Sequence, residues 1–298
     1  MTSHWSIIVH GGAKEIKPEE EEDNRKGVAA ALEAGAAILR TGGSAFDAVV
    51  AAVCALEDDT TFNAGAGAVK RKDGSVQTDA SIMDGDTLNI GAVAAIMDVK
   101  NPIKVAQAVF NDDPILLVGE DATAFAKQKK MEPAVSQGES NDGNHDTVGC
   151  VARDVNGNIV SGVSTGGLEE AAPGRVGDSA LPGCGFYADN KMGGVCMSGE
   201  GEDIARTMLA AEVMHRLEQM PVQHAIDYAL QRLERIDGEA GGIVLDSDGN
   251  PAWAHNSPHF AVAYQTDDMD EPAVFLKKSE ETGREERRTD GDGKASMT

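Results

Sequence analysis

Apolar residues in this chain fall into short runs separated by glycines and acidic residues, and two periods alternate along it. Trp5-Ser6-Ile7-Ile8-Val9 reads as a first strand, ended by a turn at His10-Gly11-Gly12. An acidic loop from Glu19 to Asp23 then leads into a helix expected from about Asn24 to Arg40, which Gly42-Gly43 terminates. Ser44 followed by Asp47 resembles a capping box, and the Ala/Val-rich run to Leu56 predicts a helix buried on most faces. Short strands are predicted at about Gly67 to Arg71, Val76 to Ala80 and Gly91 to Met97, with helices at Pro102 to Phe110 and Asp121 to Lys130.

From Pro133 to His145 all periodicity is lost, which predicts an exposed or disordered loop. Val148 to Arg153 and Ile159 to Ser164 then alternate as strands, with Asn156-Gly157 as a two-residue hairpin signal. Glu202 to Leu217 and Val222 to Arg235 have helical periodicity, with Pro221 at a first helical position. A second hairpin is expected from Gly242 to His255 through Asp248-Gly249, then a strand at Phe260 to Tyr264, and residues 278–298 read as a loose polar tail. Strands and helices arriving in blocks predict an α+β fold, antiparallel sheets flanked by helices, rather than a regular βαβ repeat.

Composition sharpens this picture. With 298 residues, 34 glycines and only 4% aromatics, the core has to be built from Ala, Val, Ile and Leu. Twenty-six basic against 50 acidic residues give a formal charge of −24, which repels phosphate backbones and anionic lipid, so nucleic acid and membrane are not expected partners. A charge so far from zero is tolerated best where salt screens it, and adaptation to high salt is the corresponding expectation. Cys54, Cys150, Cys184 and Cys196 form no CxxC pair and read as reduced thiols of a cytoplasmic protein. The chain opens directly on a strand with no secretory pattern, and no window approaches the ~18 apolar residues of a membrane span.

Candidate chemistry collects after the aperiodic loop. His145-Asp146-Thr147-Val148-Gly149 places a hydroxyl at the mouth of a strand; Thr147 either simply starts that strand or, if the Asp146-Thr147 bond is cut, carries a free α-amine beside its own hydroxyl. Arg175 and Asp178, three apart in a glycine-rich loop, are either an internal salt bridge or a fork and acceptor for an amino-acid zwitterion. Ser198-Gly199, expected at the start of a helix, is either an N-cap or an oxyanion site. Gly162 to Gly166 fits G-x-S-x-G, but Gly166, Gly167, Pro173 and Gly174 follow where a serine-hydrolase elbow needs a helix. His255 and His259 are separated by Pro258 and belong to no helical metal motif.

The ordered set Val9 to Gly12 (VHGG), Gly42 to Val49, Phe62 to Val69 (FNAGAGAV), Met83 to Leu88 (MDGDTL), Asp146 to Gly149 (DTVG), STGG, PGRVGDS and SGEGE resembles the plant-type asparaginases and isoaspartyl peptidases, threonine-dependent N-terminal-nucleophile hydrolases. The likeness runs from about Ile7 to Leu276. It implies a four-layer αββα sandwich and a precursor that cuts itself between Asp146 and Thr147 into segments 1–146 and 147–298. It implies Thr147 as nucleophile and base, Thr165 as its hydrogen-bonding neighbour and Asn63 near it. Arg175 and Asp178 would hold the substrate's α-carboxylate and α-amine, with Val176 and Gly177 between them in the pocket; Ser198 and Gly199 would form the oxyanion hole, with Glu200 and Gly201 beside the substrate. The resemblance further implies an asparagine or β-aspartyl dipeptide substrate, no catalytic cofactor, a structural sodium ion in the loop at Phe62, Asn63, Ala64 and Gly65, and a homodimer of cleaved units. Two departures stand out: Ser198 where the family usually has Thr, and Glu200 where it has a neutral residue. Glycosylasparaginase activity and, in a different class, a non-catalytic acidic binding protein are the alternatives.

Salt adaptation carries a direct expectation. The purified protein is at least as active in molar potassium chloride as in dilute buffer; an activity higher in dilute buffer would count against it.

Overall fold

Strand β1 (Ser6–Lys14) is buried along its entire length, which requires apolar cover on both of its faces. The computed structural model, which describes residues 4–134 and 147–281, supplies that cover from two directions. β1 is followed by helices α1 (Glu21–Arg40) and α2 (Ala45–Asp58), strands β2 (Thr78–Asp84) and β3 (Ile90–Ile96), helix α3 (Pro102–Phe110), strand β4 (Leu116–Val118) and helix α4 (Gly119–Gln128). After the loop come β5 (Thr147–Arg153), β6 (Ile159–Thr165), β7 (Phe186–Asp189) and β8 (Gly193–Gly199), then helices α5 (Gly201–Thr207), α6 (Leu209–Leu217) and α7 (Val222–Gln231). Strands β9 (Ala240–Asp246), β10 (Pro251–His255), β11 (His259–Thr266) and β12 (Ala273–Phe275) complete the order.

Eight strands form one sheet, β12-β11-β1-β5-β6-β2-β3-β4, and four form a second, β10-β9-β8-β7. The period-2 alternation of side chains assigns each strand's two faces. On β1 and β5, Ile7, Val9, Val148, Cys150 and Ala152 pack with Val28 and Leu32 of α1 and Val49 and Val53 of α2. Ile8 and Val151 face the other way, onto Phe186, Cys196, Ile243 and Trp253 of the small sheet. The outer face of the small sheet (Val195, Met197, Val244) is covered by Leu209 and Val213 of α6 and Ile226 and Leu230 of α7. Helix, sheet, sheet, helix: this is the expected four-layer sandwich.

Several sequence expectations are corrected. His10-Gly11-Gly12 does not turn the chain; β1 continues to Lys14 through a bulge in which Gly11 and Gly12 stand opposite Ala261, Gly12 taking φ 111°. α1 starts inside the acidic run, with Glu21, Glu22 and Asp23 in its first turn where the helix dipole favours them. Gly67 to Arg71 is no strand, because its backbone donors go elsewhere: the Val69 N–H to Asn63 Oδ1 at 3.1 Å and the Arg71 N–H to the Ser75 carbonyl at 2.8 Å. Both hairpins, around Asn156-Gly157 and Asp248-Gly249, have three-residue loops. The Gly157 and Gly249 N–H groups bond back to Asp154 and Asp246, and each glycine sits in the left-handed region (φ 86° and 89°). The expected helix from Glu202 to Leu217 is broken at Met208 (φ 49°), because the first N–H groups of α6 are taken by the Cys184 and Gly183 carbonyls. Pro221 precedes α7 as its N-cap residue rather than lying inside it. The strand expectations omit β4, β7, β8 and β12, and β4 pairs parallel to β3, so the large sheet is mixed at one edge.

The polar tail is docked where it begins. Residues 278–281 form one helical turn in which Glu281 Oε1 accepts from Trp253 Nε1 (3.1 Å) and from the Tyr264 hydroxyl (2.9 Å), while Arg25 forks onto Glu280 at 3.0 and 2.8 Å. The remainder of the tail and the loop expected from Pro133, beyond Ala134, lie outside the described residues.

Phe186 is fully buried between the sheets. Replacing it by Ala is expected to lower unfolding free energy by about 3–5 kcal/mol, since both facing sheets are hydrogen-bonded and cannot collapse into the cavity; urea denaturation would measure it.

Candidate active site

The face alternation that builds the sandwich also aims three hydroxyls at one spot. Thr147 opens β5 and pairs with Thr165 at the end of β6. Thr147 shares its strand face with Val151, and Thr165 shares its own with Val163, so both look into the gap between the sheets. Ser198, one residue from the end of β8, is on the same face as Cys196 and looks back at them. All three are 5% exposed or less.

The Ser198 hydroxyl accepts from the backbone nitrogens of Ala13 (3.0 Å) and Thr147 (3.3 Å), linking the two sheets. With both lone pairs occupied, its own hydrogen is left to donate, the property an oxyanion site needs. Ser198 is therefore not a helix cap. It lies in a strand, and Glu200 is the N-cap residue of the seven-residue α5.

Thr147 Oγ1 lies 3.2 Å from the hydroxyl of Ser179. Ser179 closes the PGRVGDS motif, and sequence reasoning assigns it no role; its place directly after a candidate site aspartate is the one signal that marks it. Thr165 Oγ1 accepts the Gly167 N–H at 3.0 Å, and Asn63 Nδ2 donates to the Gly167 carbonyl at 2.7 Å, so Asn63 holds the STGG loop in place.

Thr147, Thr165, Gly167, Leu168, Arg175, Gly177, Asp178, Ser179, Gly199 and Gly201 line one cleft. Val176 and Glu200 do not line it; Glu200 is exposed, and its N–H is tied to the Glu239 carbonyl at 3.1 Å. Arg175 and Asp178 are brought together, but the arginine's ion pair is with Glu202, whose carboxylate takes Nε at 2.9 Å and Nη2 at 2.6 Å. That pairing uses one edge of the guanidinium. The end-on edge abuts Gly177 and Gly201, where an added Cβ would stand 3.0 Å from Nη1 and 2.9 Å from Nη2. A Cβ at Gly201 would also stand 2.9 Å from Asp178 Oδ1, so glycine there keeps the passage between cation and anion open.

Burial pushes the Asp178 carboxyl up to about 7, with Arg175 pulling the other way, and its Oδ2 has no hydrogen-bond partner. An unpartnered buried carboxylate beside a cleft is suited to an ammonium. Behind it, on β2, Asp79 is pushed up to about 6 by burial and accepts the Ala95 N–H at 2.7 Å. Arg71, almost fully buried, bonds the Leu168 and Gln77 carbonyls at 3.2 and 3.1 Å. Sequence reasoning misses both, because Arg71 lies in what reads as a strand and Asp79 in an alternating run.

Other candidates lose ground here. Ser164 is fully buried within β6 and no helix follows it, so no nucleophile elbow forms. Burial pushes all four thiols up, away from the thiolate, Cys54 to about 12. His10, beneath Gly149, is pushed down to about 3 by burial and stays neutral. His255 bonds the Ser257 carbonyl at 2.8 Å, and His259 Nδ1 accepts the Ile16 N–H at 3.1 Å; both are structural. Among the described residues no three His, Cys, Asp or Glu side chains gather as a metal site, and no helix is long and apolar enough to cross a membrane.

A layered α+β sandwich with a strand-end threonine facing a hydroxyl and an arginine–aspartate pair is the architecture of an N-terminal-nucleophile hydrolase. The sequence profile of a family described as Asparaginase matches residues 3–142 and 127–274. The isoaspartyl peptidase/L-asparaginase of Danio rerio is 40% identical over 272 residues, covering 83% of this chain and 87% of its own. The human protein of the same name is 38% identical (86% and 92% covered), and the plant-type L-asparaginase of Pyrobaculum calidifontis is also 38% identical (85% and 94% covered). The chain belongs to this asparaginase family.

The raised Asp178 pKa fixes a pH dependence of stability. The native state holds this proton more tightly than the unfolded chain, so the group's contribution is fully present below about 4 and is lost as pH rises through about 7. Asp178→Asn is expected to be more stable than wild type to urea at pH 8, with the gap closing toward pH 4.

Proposed function

We propose that this chain is an amide-bond hydrolase acting on L-asparagine and on β-aspartyl dipeptides, activated by cleavage of its own Asp146–Thr147 bond into segments 1–146 and 147–298. The observation that carries the reading is the convergence on one cleft of Thr147 and the Arg175–Asp178 pair, with the Ser198 hydroxyl behind it, bonded to the Thr147 nitrogen. The names of the relatives support the same substrates.

In this mechanism Arg175 receives the α-carboxylate on its end-on edge and Asp178 the α-ammonium, which sets the side-chain amide against Thr147. Thr147 Oγ attacks the amide carbon while its proton passes to the new α-amine, a base whose ordinary pKa is about 8. The Ser198 hydroxyl and the Gly199 N–H bind the oxyanion. Collapse returns the amine's proton to the leaving nitrogen, releasing ammonia from asparagine or the free second amino acid from a dipeptide, and leaving a β-aspartyl ester. Water, deprotonated by the same amine, then frees aspartate. Thr165 supports Thr147 from the neighbouring strand, and the methyl missing from Ser198 does not alter the hydroxyl's two backbone bonds.

Two glycines favour this reading over glycosylasparaginase, whose members usually carry Asn at one of them. A Cβ at Gly166 would stand 2.1 Å from Asn63 Oδ1, and one at Gly167 2.5 Å from Arg71 Nη1. The proposal includes a structural sodium ion at the Phe62–Gly65 loop. It also includes a homodimer of cleaved units in the cytoplasm.

The test is intact mass beside catalysis. Wild type aged in high salt is expected as two fragments of 146 and 152 residues summing to the precursor plus one water, active on asparagine and β-aspartyl dipeptides. Thr147→Ala is expected whole and inactive; a folded wild type that stays whole would overturn the mechanism.

A further inference from the structure

We propose that Ser179 is a catalytic hydroxyl of this site, donating a hydrogen bond to Thr147 Oγ as charge develops on that oxygen. The proposal rests on Thr147 being the nucleophile, as argued above. Ser179 is 1% exposed and lines the cleft, and its hydroxyl stands 3.2 Å from Thr147 Oγ1. Its residue is held rigidly. It sits in the 3-10 turn Asp178–Ala180, whose Asp178 carbonyl accepts the Leu181 N–H at 2.8 Å, and its own carbonyl accepts the Ser81 hydroxyl at 2.7 Å. Ser81 lies on β2, which pairs with β6, so Ser179 is fixed to the same sheet that carries Thr147.

Proton bookkeeping sets the direction of the bond. During attack the Thr147 hydroxyl proton leaves for the α-amine, so Oγ can only accept, and Ser179 has to donate. In the second step the bond between the acyl carbon and Oγ breaks, its electron pair returns to Oγ, and the proton comes back from the Thr147 ammonium. Oγ is then the leaving oxygen, and a donor on it strengthens as charge accumulates, more than in the neutral ester. The two serines divide the work. Ser198 serves the carbonyl oxygen of the substrate, and Ser179 serves the oxygen of the nucleophile.

The test compares Ser179→Ala with Ser179→Thr, which keeps the hydroxyl, and with Ser179→Cys, a weaker donor. For Ser179→Ala, kcat on asparagine is expected to fall on the order of 10²-fold, the usual loss for one donor on a developing charge, with KM changed less than about twofold. An aspartyl ester is expected to accumulate on the fragment beginning at Thr147 in acid-quenched reactions, with Cys intermediate and Thr close to wild type. Unchanged kcat, a loss carried by KM, or an alanine variant no slower than the threonine one would overturn the proposal. If Ser179→Ala stays uncut, self-cleavage becomes the readout, since it uses the same oxygen: cleavage of the threonine variant supports the proposal, and failure of both overturns it. Wild type that neither cuts nor hydrolyses would instead sink the parent reading of Thr147.

Discussion

The structure turns on the burial of β1, β5 and β6 from both sides. A strand covered by helices on one face and by a second sheet on the other has no solvent-facing positions to relax, so its register is fixed: a slip of one residue would exchange every side chain between the two cores. That fixed register is what aims Thr147, Thr165 and Ser198 into the same gap, and it leaves any polar group there with only protein partners.

The gap answers that requirement with hydroxyls. Serine and threonine give and take hydrogen bonds with little desolvation penalty compared with a buried ion. Ser198 satisfies two backbone donors contributed by β1 and β5 while belonging to the other sheet. The charged members, Arg175, Asp178 and Glu202, lie together, so opposite signs offset one another. Asp178 is the exception; burial disfavours its charged form, and its Oδ2 has no hydrogen-bond partner, so it is held at a cost.

Much of the fold is legible in the sequence because period and capping are local properties. Pro102 marks α3, Ser44 marks α2 with its hydroxyl accepting the Asp47 N–H at 3.1 Å, and the Gly-containing turns mark both hairpins. What is not legible depends on distant partners. The bulge at Gly11-Gly12 exists because β11 runs alongside, the break at Met208 because the Gly183–Cys184 loop claims the donors of α6, and β8 is a strand despite three glycines in seven residues because β7 and β9 flank it. For the site, motif order alone singles out Thr147, Thr165, Arg175, Asp178 and Ser198, which the fold gathers. Nothing in the motifs shows that Glu202 claims Arg175, that Ser179 faces Thr147, or that Val176 and Glu200 are not among the residues lining the cleft.

The Arg175 side chain is a flat ion with two usable edges, one of them occupied by Glu202 before any ligand arrives. A carboxylate entering at the other edge would complete a coplanar row of anion, cation and anion. Lysine could preserve the charge at this position but not the row, because a tetrahedral ammonium has no second edge to present. The site is therefore built around the shape of its cation as much as around its sign.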